Sequence, residues 1–269
     1  QEKSNYWREE SRKTANALLD IMWDEDTKFF YDVHPETHKK SYVKIANGFY
    51  PFFAKIAGPK HLGIFDHLFN PKEFWTRWPV PSLSADDPYY SEENLWRGVR
   101  KIGWNGTTWP LINSHLVDAL AYAATIQPEL RHKAYILLEK AVKLHFWNKD
   151  PSRPNVFECY NPRTAEPSAY SGVEDYQHSW IVNLIIMYIC GLRPQVKDVV
   201  VLDPLPSNLE RFTIDNLYYK QHKLRIVWRA KKIDSERRGY TLCVDGKRVA
   251  TEDNLTKIVY DLKDGKRSL

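Results

Sequence analysis

Asn94-Leu95-Trp96-Arg97-Gly98, then Gly103-Trp104-Asn105-Gly106-Thr107-Thr108-Trp109-Pro110 and Asn113, form the stretch on which the reading of this chain turns. Trp96, Trp104 and Trp109 stand with Arg97 and Asn105 among glycines, directly before a helix. Trp faces stack on the C–H faces of sugar rings, while Arg and Asn hold hydroxyls. The same residues also suit a loop stapled by buried Trp.

Around this stretch the chain alternates helix and loop. Trp7, Ala15, Leu18, Leu19 and Met22 recur at helical spacing and predict a helix over 6–23. Residues 28–43 read as a hairpin, with Phe29-Phe30-Tyr31 and Tyr42-Val43 flanking a turn at 34–37. Short helices are expected at 48–57 and 61–69, separated by Gly58-Pro59. Residues 71–106 have no sustained period, yet they are rich in aromatics, which argues for an ordered loop lining a site. Helices follow at 108–126 and 128–145, and an apolar one at 173–190 that stops at Gly191. After Pro194 the texture changes to short β-branched and aromatic runs, such as 199–202, 224–228, 240–244 and 258–262, with turn signals such as Asp245-Gly246 between them. The expected organisation is one largely helical domain over 1–193 and a small β-sandwich domain over 194–269.

Composition narrows the function classes. The chain is 43% hydrophobic and 27% charged with a formal net charge of +5, an ordinary globular balance. Basic runs such as Lys231-Lys232 are short, so nucleic acid is not an expected partner. The longest apolar stretch, 180–190, is too short to span a membrane. Cys159, Cys190 and Cys243 form no metal-ligand spacing, and neither a metal nor another cofactor is expected. Ten Trp and sixteen Tyr exceed what a core of this size needs and favour a carbohydrate partner. The chain opens at Gln1 and reads as a fragment, a processed chain or one whose leader is removed. The compartment is left open, with a secreted or periplasmic one slightly favoured.

A second segment, Phe157-Glu158-Cys159-Tyr160-Asn161-Pro162-Arg163-Thr164, sets a carboxylate among large apolar side chains. Such a setting tunes a carboxylate for proton transfer; an ordinary surface Glu fits the same pattern. Cys159 is read as a buried thiol, since no His stands beside it in sequence. His178 serves equally well as a pocket residue or as a buried helix start.

Taken in order, these segments resemble the (α/α)6-barrel glycosidases of the clan that includes glycoside hydrolase family 63, trehalases and mannosylglycerate-hydrolase-like enzymes. The resemblance covers roughly residues 5–193. It rests on Met22-Trp23-Asp24-Glu25, Phe29-Phe30-Tyr31-Asp32, Gly48-Phe49-Tyr50-Pro51, Glu73-Phe74-Trp75 and Pro79-Val80-Pro81-Ser82. It rests further on Trp96-Arg97-Gly98 with Trp109-Pro110 and Asn113, on Glu158-x-Tyr160-Asn161-Pro162, and on Ser179-Trp180. In this sequence the Trp-Arg-Gly element carries an insertion at 103–107, and Cys159 stands where the family has Asn.

The resemblance implies hydrolysis of an O-glycosidic bond by two carboxylates, with inversion. It places Glu158 as general base. Trp96, Arg97, Trp104, Asn105, Trp109 and Trp180 are expected to bind an oligosaccharide or glycoside. The family's acid lies in a Gly-x-Asp-Asn loop, which this sequence lacks, and Asp86 and Asp87 match no motif. About half of the barrel's helices are legible. The expected architecture is therefore mainly α: the second half of an (α/α)6 toroid, then the β-sandwich domain, with the N-terminal half of the same barrel as partner and source of the acid. A non-catalytic carbohydrate-binding protein on a degenerate barrel is the alternative. A lyase or phosphorylase on such a barrel is a more remote one.

Overall fold

The computed structural model describes residues 2–93, 95–96, 99–100, 104–146, 152, 157–167, 180–232 and 238–268. The chain divides into two compact units, Gln1–Trp180 and Ile181–Leu269. Helix accounts for about 34% of the structure and strand for about 23%.

The first unit opens with helix α1 (Glu2–Ala17), which buries none of its residues, and runs into a wider turn at Leu18–Met22. Strand β1 (Trp23–Asp24) then pairs with β2 (Phe29–Phe30). The hairpin expected over 28–43 forms around the 34–39 turn, where Val33 bridges Lys40, His34 N–H donates to Lys39 O and Ser41 N–H to Asp32 O, each at 2.9 Å, while Phe29 and Phe30 pair backwards with β1. The physical reason is burial. Pairing with β1 sends both Phe rings into the core, where each is at most 2% exposed.

That core is aromatic. Phe29 stacks parallel to Phe74 at 6.1 Å, and Phe49 meets both edge-on at 5.6 and 5.2 Å. Phe49 ends a short 3-10 turn, Ala46–Phe49, that leads into helix α2 (Tyr50–Phe53). Helix α3 (Ile64–Leu68) adds Phe65, which packs on Phe52 at 4.8 Å. Residues 71–93 are turns. Strands β3 (Leu95–Trp96) and β4 (Val99–Arg100) form a small ribbon inside the stretch expected to be an ordered loop.

Helix α4 (Pro110–Ile126) is buried on most sides, including Ile112, Leu116, Val117, Leu120 and Ala124. A helix apolar all round belongs inside a core. Helix α5 (Leu130–Leu144) buries one stripe, Ala134, Leu137, Leu138 and Ala141, and packs against α4. A three-residue connection suffices for such a helical hairpin. Helix α6 (Trp180–Leu184) begins at the last residue of this unit and passes into a wider turn, Ile185–Ile189.

The second unit holds two four-stranded antiparallel sheets. One is ordered β12 (Lys266–Ser268), β11 (Ile258–Asp261), β6 (Val199–Leu202), β5 (Leu192–Arg193). The other runs β10 (Lys247–Glu252), β9 (Gly239–Val244), β8 (His222–Arg229), β7 (Arg211–Tyr219). Val200, Leu202 and Ile258 of the first sheet join Leu224, Ile226, Tyr240 and Leu242 of the second in one core cluster. Ile185, Ile186 and Cys190 pack against or within the same cluster. Gly191 has φ +87°, the left-handed conformation that ends a helix with glycine. Asp245 and Gly246 (φ 48° and 79°) make the tight turn between β9 and β10.

Gly48 is the tightest close approach in the first unit. A Cβ there would fall 2.4 Å from the Phe29 ring and 2.8 Å from the Phe30 carbonyl oxygen. Gly48→Ala is therefore expected to cost about 1–3 kcal/mol through overpacking. Urea unfolding measures this, and an unshifted midpoint would refute the close approach.

Candidate active site

Three segments far apart in sequence are laced together at the start of α4. Thr108 and Tyr160 exchange both backbone hydrogen bonds, at 2.9 and 2.8 Å. The Ser82 N–H donates to the Thr107 carbonyl at 2.9 Å, the Thr108 hydroxyl donates to the Trp78 carbonyl at 2.8 Å, and the Trp78 N–H donates to Pro162 O at 2.8 Å. Segments 78–84, 104–109 and 157–162 thus form a short irregular ladder. Asn113 completes it from the first turns of α4. Its Oδ1 accepts from Val80 N–H at 2.6 Å, and its Nδ2 donates to the Val80 and Trp109 carbonyls, each at 3.0 Å. Asn113 is fully buried, so it serves the backbone and not a ligand.

This ladder positions the aromatic pair. Trp104 and Trp109 lie face to face, with centroids 3.8 Å apart and planes 8° apart. Trp109 is buried, whereas Trp104 is 51% exposed and turns its other side outward. The Trp109 Nε1 is buried without a hydrogen-bond partner. An unmade bond at a buried donor costs roughly 1–3 kcal/mol, so such a donor in a native fold calls for an explanation.

Glu158 occupies a half-buried bend two residues before Tyr160, and therefore two residues from the Thr108 pairing. The Tyr160 hydroxyl accepts the Phe157 N–H at 2.9 Å and so ties down the bend from its other side. Burial pushes the Tyr160 phenol up to about 12, so it stays neutral. Cys159 is a buried free thiol.

Asn105, expected to bind substrate, is buried and turned toward the neighbouring loop. Its Nδ2 donates to Tyr89 O at 3.3 Å, and its own carbonyl accepts from Ser91 N–H at 2.7 Å. Trp96 lies in β3, and its side chain is outside the described residues, as are Arg97 and His178. Trp180 is 38% exposed and sits edge-on to His115 at 5.4 Å. The structure therefore stacks Trp104 on Trp109, turns Asn105 to the 89–91 loop, ties the segment of Glu158 to Thr108 through Tyr160, and leads Trp180 to His115.

Two groups escaped the sequence reading. Lys44 is half-buried between Glu73 and Asp86, at 2.8 Å from each. Burial opposes its charge, but the two carboxylates outweigh this and raise its pKa. It joins the turn holding Glu73 to the loop that starts at Ser84, whose hydroxyl donates to Asp86 at 2.6 Å. Asp86 is thus committed to an ion pair. His115, on the exposed-to-buried boundary of α4, contacts the Tyr50 hydroxyl at 3.0 Å and stacks on Phe53 at 4.4 Å. No sequence signal marks it, because a lone His within an apolar helix reads as core. Among the described residues no group of three or more His, Cys, Asp or Glu could hold a metal, and no helix is long and apolar enough to cross a membrane.

The comparisons with known proteins define a class, the six-hairpin glycosidases. The chain belongs to the mannosylglycerate hydrolase MGH1-like glycoside hydrolase family, whose model matches residues 1–179. A solved structure named sialidase has a similar fold, with 21% identity and a TM-score of 0.82, covering 97% of this chain and 24% of the other. The glycoside hydrolase family 63 mannosylglycerate hydrolase from Thermus thermophilus, solved with glucose, is 21% identical over 62% of this chain and 36% of its own, with a TM-score of 0.46. Neutral trehalase from Saccharomyces cerevisiae is 15% identical over 66% of this chain and 29% of its own, with a TM-score of 0.45. This chain thus spans between 24% and 36% of the length of these structures. No curated protein matches it in sequence.

Burial, foremost, holds both His115 and His61 below the usual imidazole value. Their folded pKa values lie beneath the unfolded one of about 6.5. The unfolded chain therefore takes up protons first as pH falls, and the stability these residues contribute is complete above about pH 6.5 and lost below it. His115→Gln is expected to flatten the fall in unfolding free energy between about pH 7 and 5. Chemical denaturation at a series of pH values checks this, and an unchanged slope would contradict a buried neutral His115.

Proposed function

We propose that this chain is the C-terminal half of an (α/α)6 glycosidase barrel with a β-sandwich domain, and that it carries the general base of a glycoside hydrolase. The observation that carries the reading is the Thr108–Tyr160 backbone pairing, which ties the segment bearing Glu158 to the start of α4, where Trp109 stacks on Trp104. In this mechanism the Glu158 carboxylate takes a proton from a water molecule. The water oxygen attacks the anomeric carbon as the glycosidic C–O bond breaks, and a carboxylic acid from an upstream segment protonates the leaving oxygen. Inversion follows, with the two carboxyl groups roughly 6.5–9.5 Å apart to admit the water. The exposed side of Trp104 serves as a platform for a sugar ring. Trp96, Arg97 and Trp180 complete the substrate contacts, and Asn105 acts by holding the loop at 89–91.

Support for an upstream half comes from α1. It buries no residue, leaves Trp7 67% exposed, and continues into Leu18, Ile21 and Met22, which line an open apolar groove with Val33 and Pro35. A helix this exposed gains little from packing, which is where most helical stability arises. Further barrel helices on this side would bury that groove.

The test uses the complete protein with its upstream segment and a panel of glycosides headed by mannosylglycerate. Glu158→Gln is expected to lower kcat by about 10²–10⁴ with the melting temperature unchanged. Near-normal turnover would remove Glu158 from the mechanism. Trp104→Ala is expected to raise KM about tenfold with a smaller change in kcat, since stacking on one ring is worth on the order of 1 kcal/mol. An unchanged KM would remove Trp104 as the platform. Glycan binding without turnover of any glycoside would favour a carbohydrate-binding protein on a degenerate barrel. The absence of a Gly-x-Asp-Asn loop from this sequence speaks for that second reading.

A further inference from the structure

The second unit carries a face that neither the family nor the glycosidase reading uses. Strands β7 to β10 send Leu224, Ile226, Trp228 and Leu242 into the core. Side chains alternate along a strand, so the residues between them point the other way. Across β8, β9 and β10 one outward rung is Arg225, Cys243, Arg248. The next is Thr213, Val227, Thr241, Thr251. A third pairs Arg211 with Arg229. At the other end Tyr218 stands opposite Lys223, whose Nζ lies 5.4 Å from the ring centroid, and Tyr218 is 71% exposed.

Arg211, Lys223, Arg225, Arg229 and Arg248 thus share one face. Asp215 lies 3.6 Å from Arg225 Nε, with both side chains about half exposed. An ion pair of that length in water holds neither group firmly. Arg225 and Arg229 are four residues apart on one strand, so the two arginine rungs are about 13 Å apart, with hydroxyls of Thr213, Thr241 and Thr251 between them.

We propose that this face binds an anionic polysaccharide, one bearing carboxylates along its chain. Guanidinium groups bind carboxylates bidentately. The threonine hydroxyls suit sugar hydroxyls, and Tyr218 offers a ring face for stacking. Rungs spread along the strands also fit an extended polymer better than a compact ligand. Nucleic acid shares the negative charge, but the covalently linked unit belongs to a glycoside hydrolase family, which favours a glycan. A polymer held here raises the effective concentration of its own chain for the linked unit.

The test is affinity electrophoresis of this 269-residue chain in gels containing polygalacturonate, with neutral dextran and duplex DNA as comparisons. Polygalacturonate is expected to retard the chain, dextran is not, and about 0.5 M salt should abolish the retardation. The double variant Arg225→Gln/Arg248→Gln should weaken retardation at least about fivefold with unchanged thermal unfolding, because both residues are exposed. Lys13→Gln, on α1, should leave it unaltered. No retardation, retardation untouched by the double variant, equal retardation by dextran, or tighter binding to DNA than to polygalacturonate would each overturn the proposal. The assay reads binding without turnover, so its failure is distinct from failure of the Glu158 mechanism.

Discussion

The backbone pairing of Thr108 with Tyr160 is the constraint on which the first unit's site depends. Two hydrogen bonds join residues that are distant in sequence, and neither residue belongs to a sheet. Everything nearby is referenced to that pair. Trp109 follows Thr108 directly and starts α4, while Glu158 precedes Tyr160 by two residues. An isolated pair of backbone hydrogen bonds is worth only about 1–3 kcal/mol net. It persists here because Thr108 is fully buried, Tyr160 nearly so, and Asn113 satisfies Val80 on the adjoining strand-like segment. Opening the pair would strand several buried donors and acceptors at once, a far larger cost than the pair's own contribution.

The same logic separates neighbours that a sequence treats alike. Trp104 and Asn105 are adjacent and both suit a sugar, yet one is half exposed and the other is turned inward to tether Tyr89 and Ser91. Adjacent side chains in an extended segment point to opposite sides. Only one of them therefore reaches the open side of the ladder. The inward one gains a structural role. Through Tyr89 and Ser91 it anchors the loop whose other end Lys44 clamps through Asp86. The site floor and its flanking loop are consequently one hydrogen-bonded object.

Much of the fold was legible because its signals are local. The helices expected at 108–126 and 128–145 correspond to α4 and α5, and Gly191 and Asp245-Gly246, read as a helix end and a turn, take positive φ. The hairpin at 28–43, whose Phe29-Phe30 arm pairs with β1 instead, shows where local signals end. Phe29-Phe30 is a good strand in either pairing, and the choice of β1 as its partner is made by an aromatic core assembled from Phe49, Phe65 and Phe74, remote in sequence. Strand β10 (Lys247–Glu252) was missed for a related reason. Half of its residues are charged and only Ala250 is buried, so no hydrophobic alternation announces it. For the site, residue types and order were readable, whereas the roles of Asn113 and Lys44 depend on partners 33 and 42 residues away.

Charge illustrates the limit most clearly. Along β8 the arginines alternate with Leu224, Ile226 and Trp228, and Arg211 and Arg248 lie on other strands, so no basic run exists in the linear chain. A scattered pattern of this kind reads as an ordinary solvated surface. Strand pairing converts it. Because the side-chain period along a strand is two, alternate residues of β8 and β9 fall on one face, and the registers of β7 and β10, each with one irregularity, put Arg225 and Arg248 on either side of Cys243 and Arg211 beside Arg229. The clustering is a property of the register and not of composition. A one-residue slip of β8 would send the same arginines into the core and bring Leu224, Ile226 and Trp228 to the surface. The hydrophobic interior that forbids this slip is therefore also what assembles the cationic face.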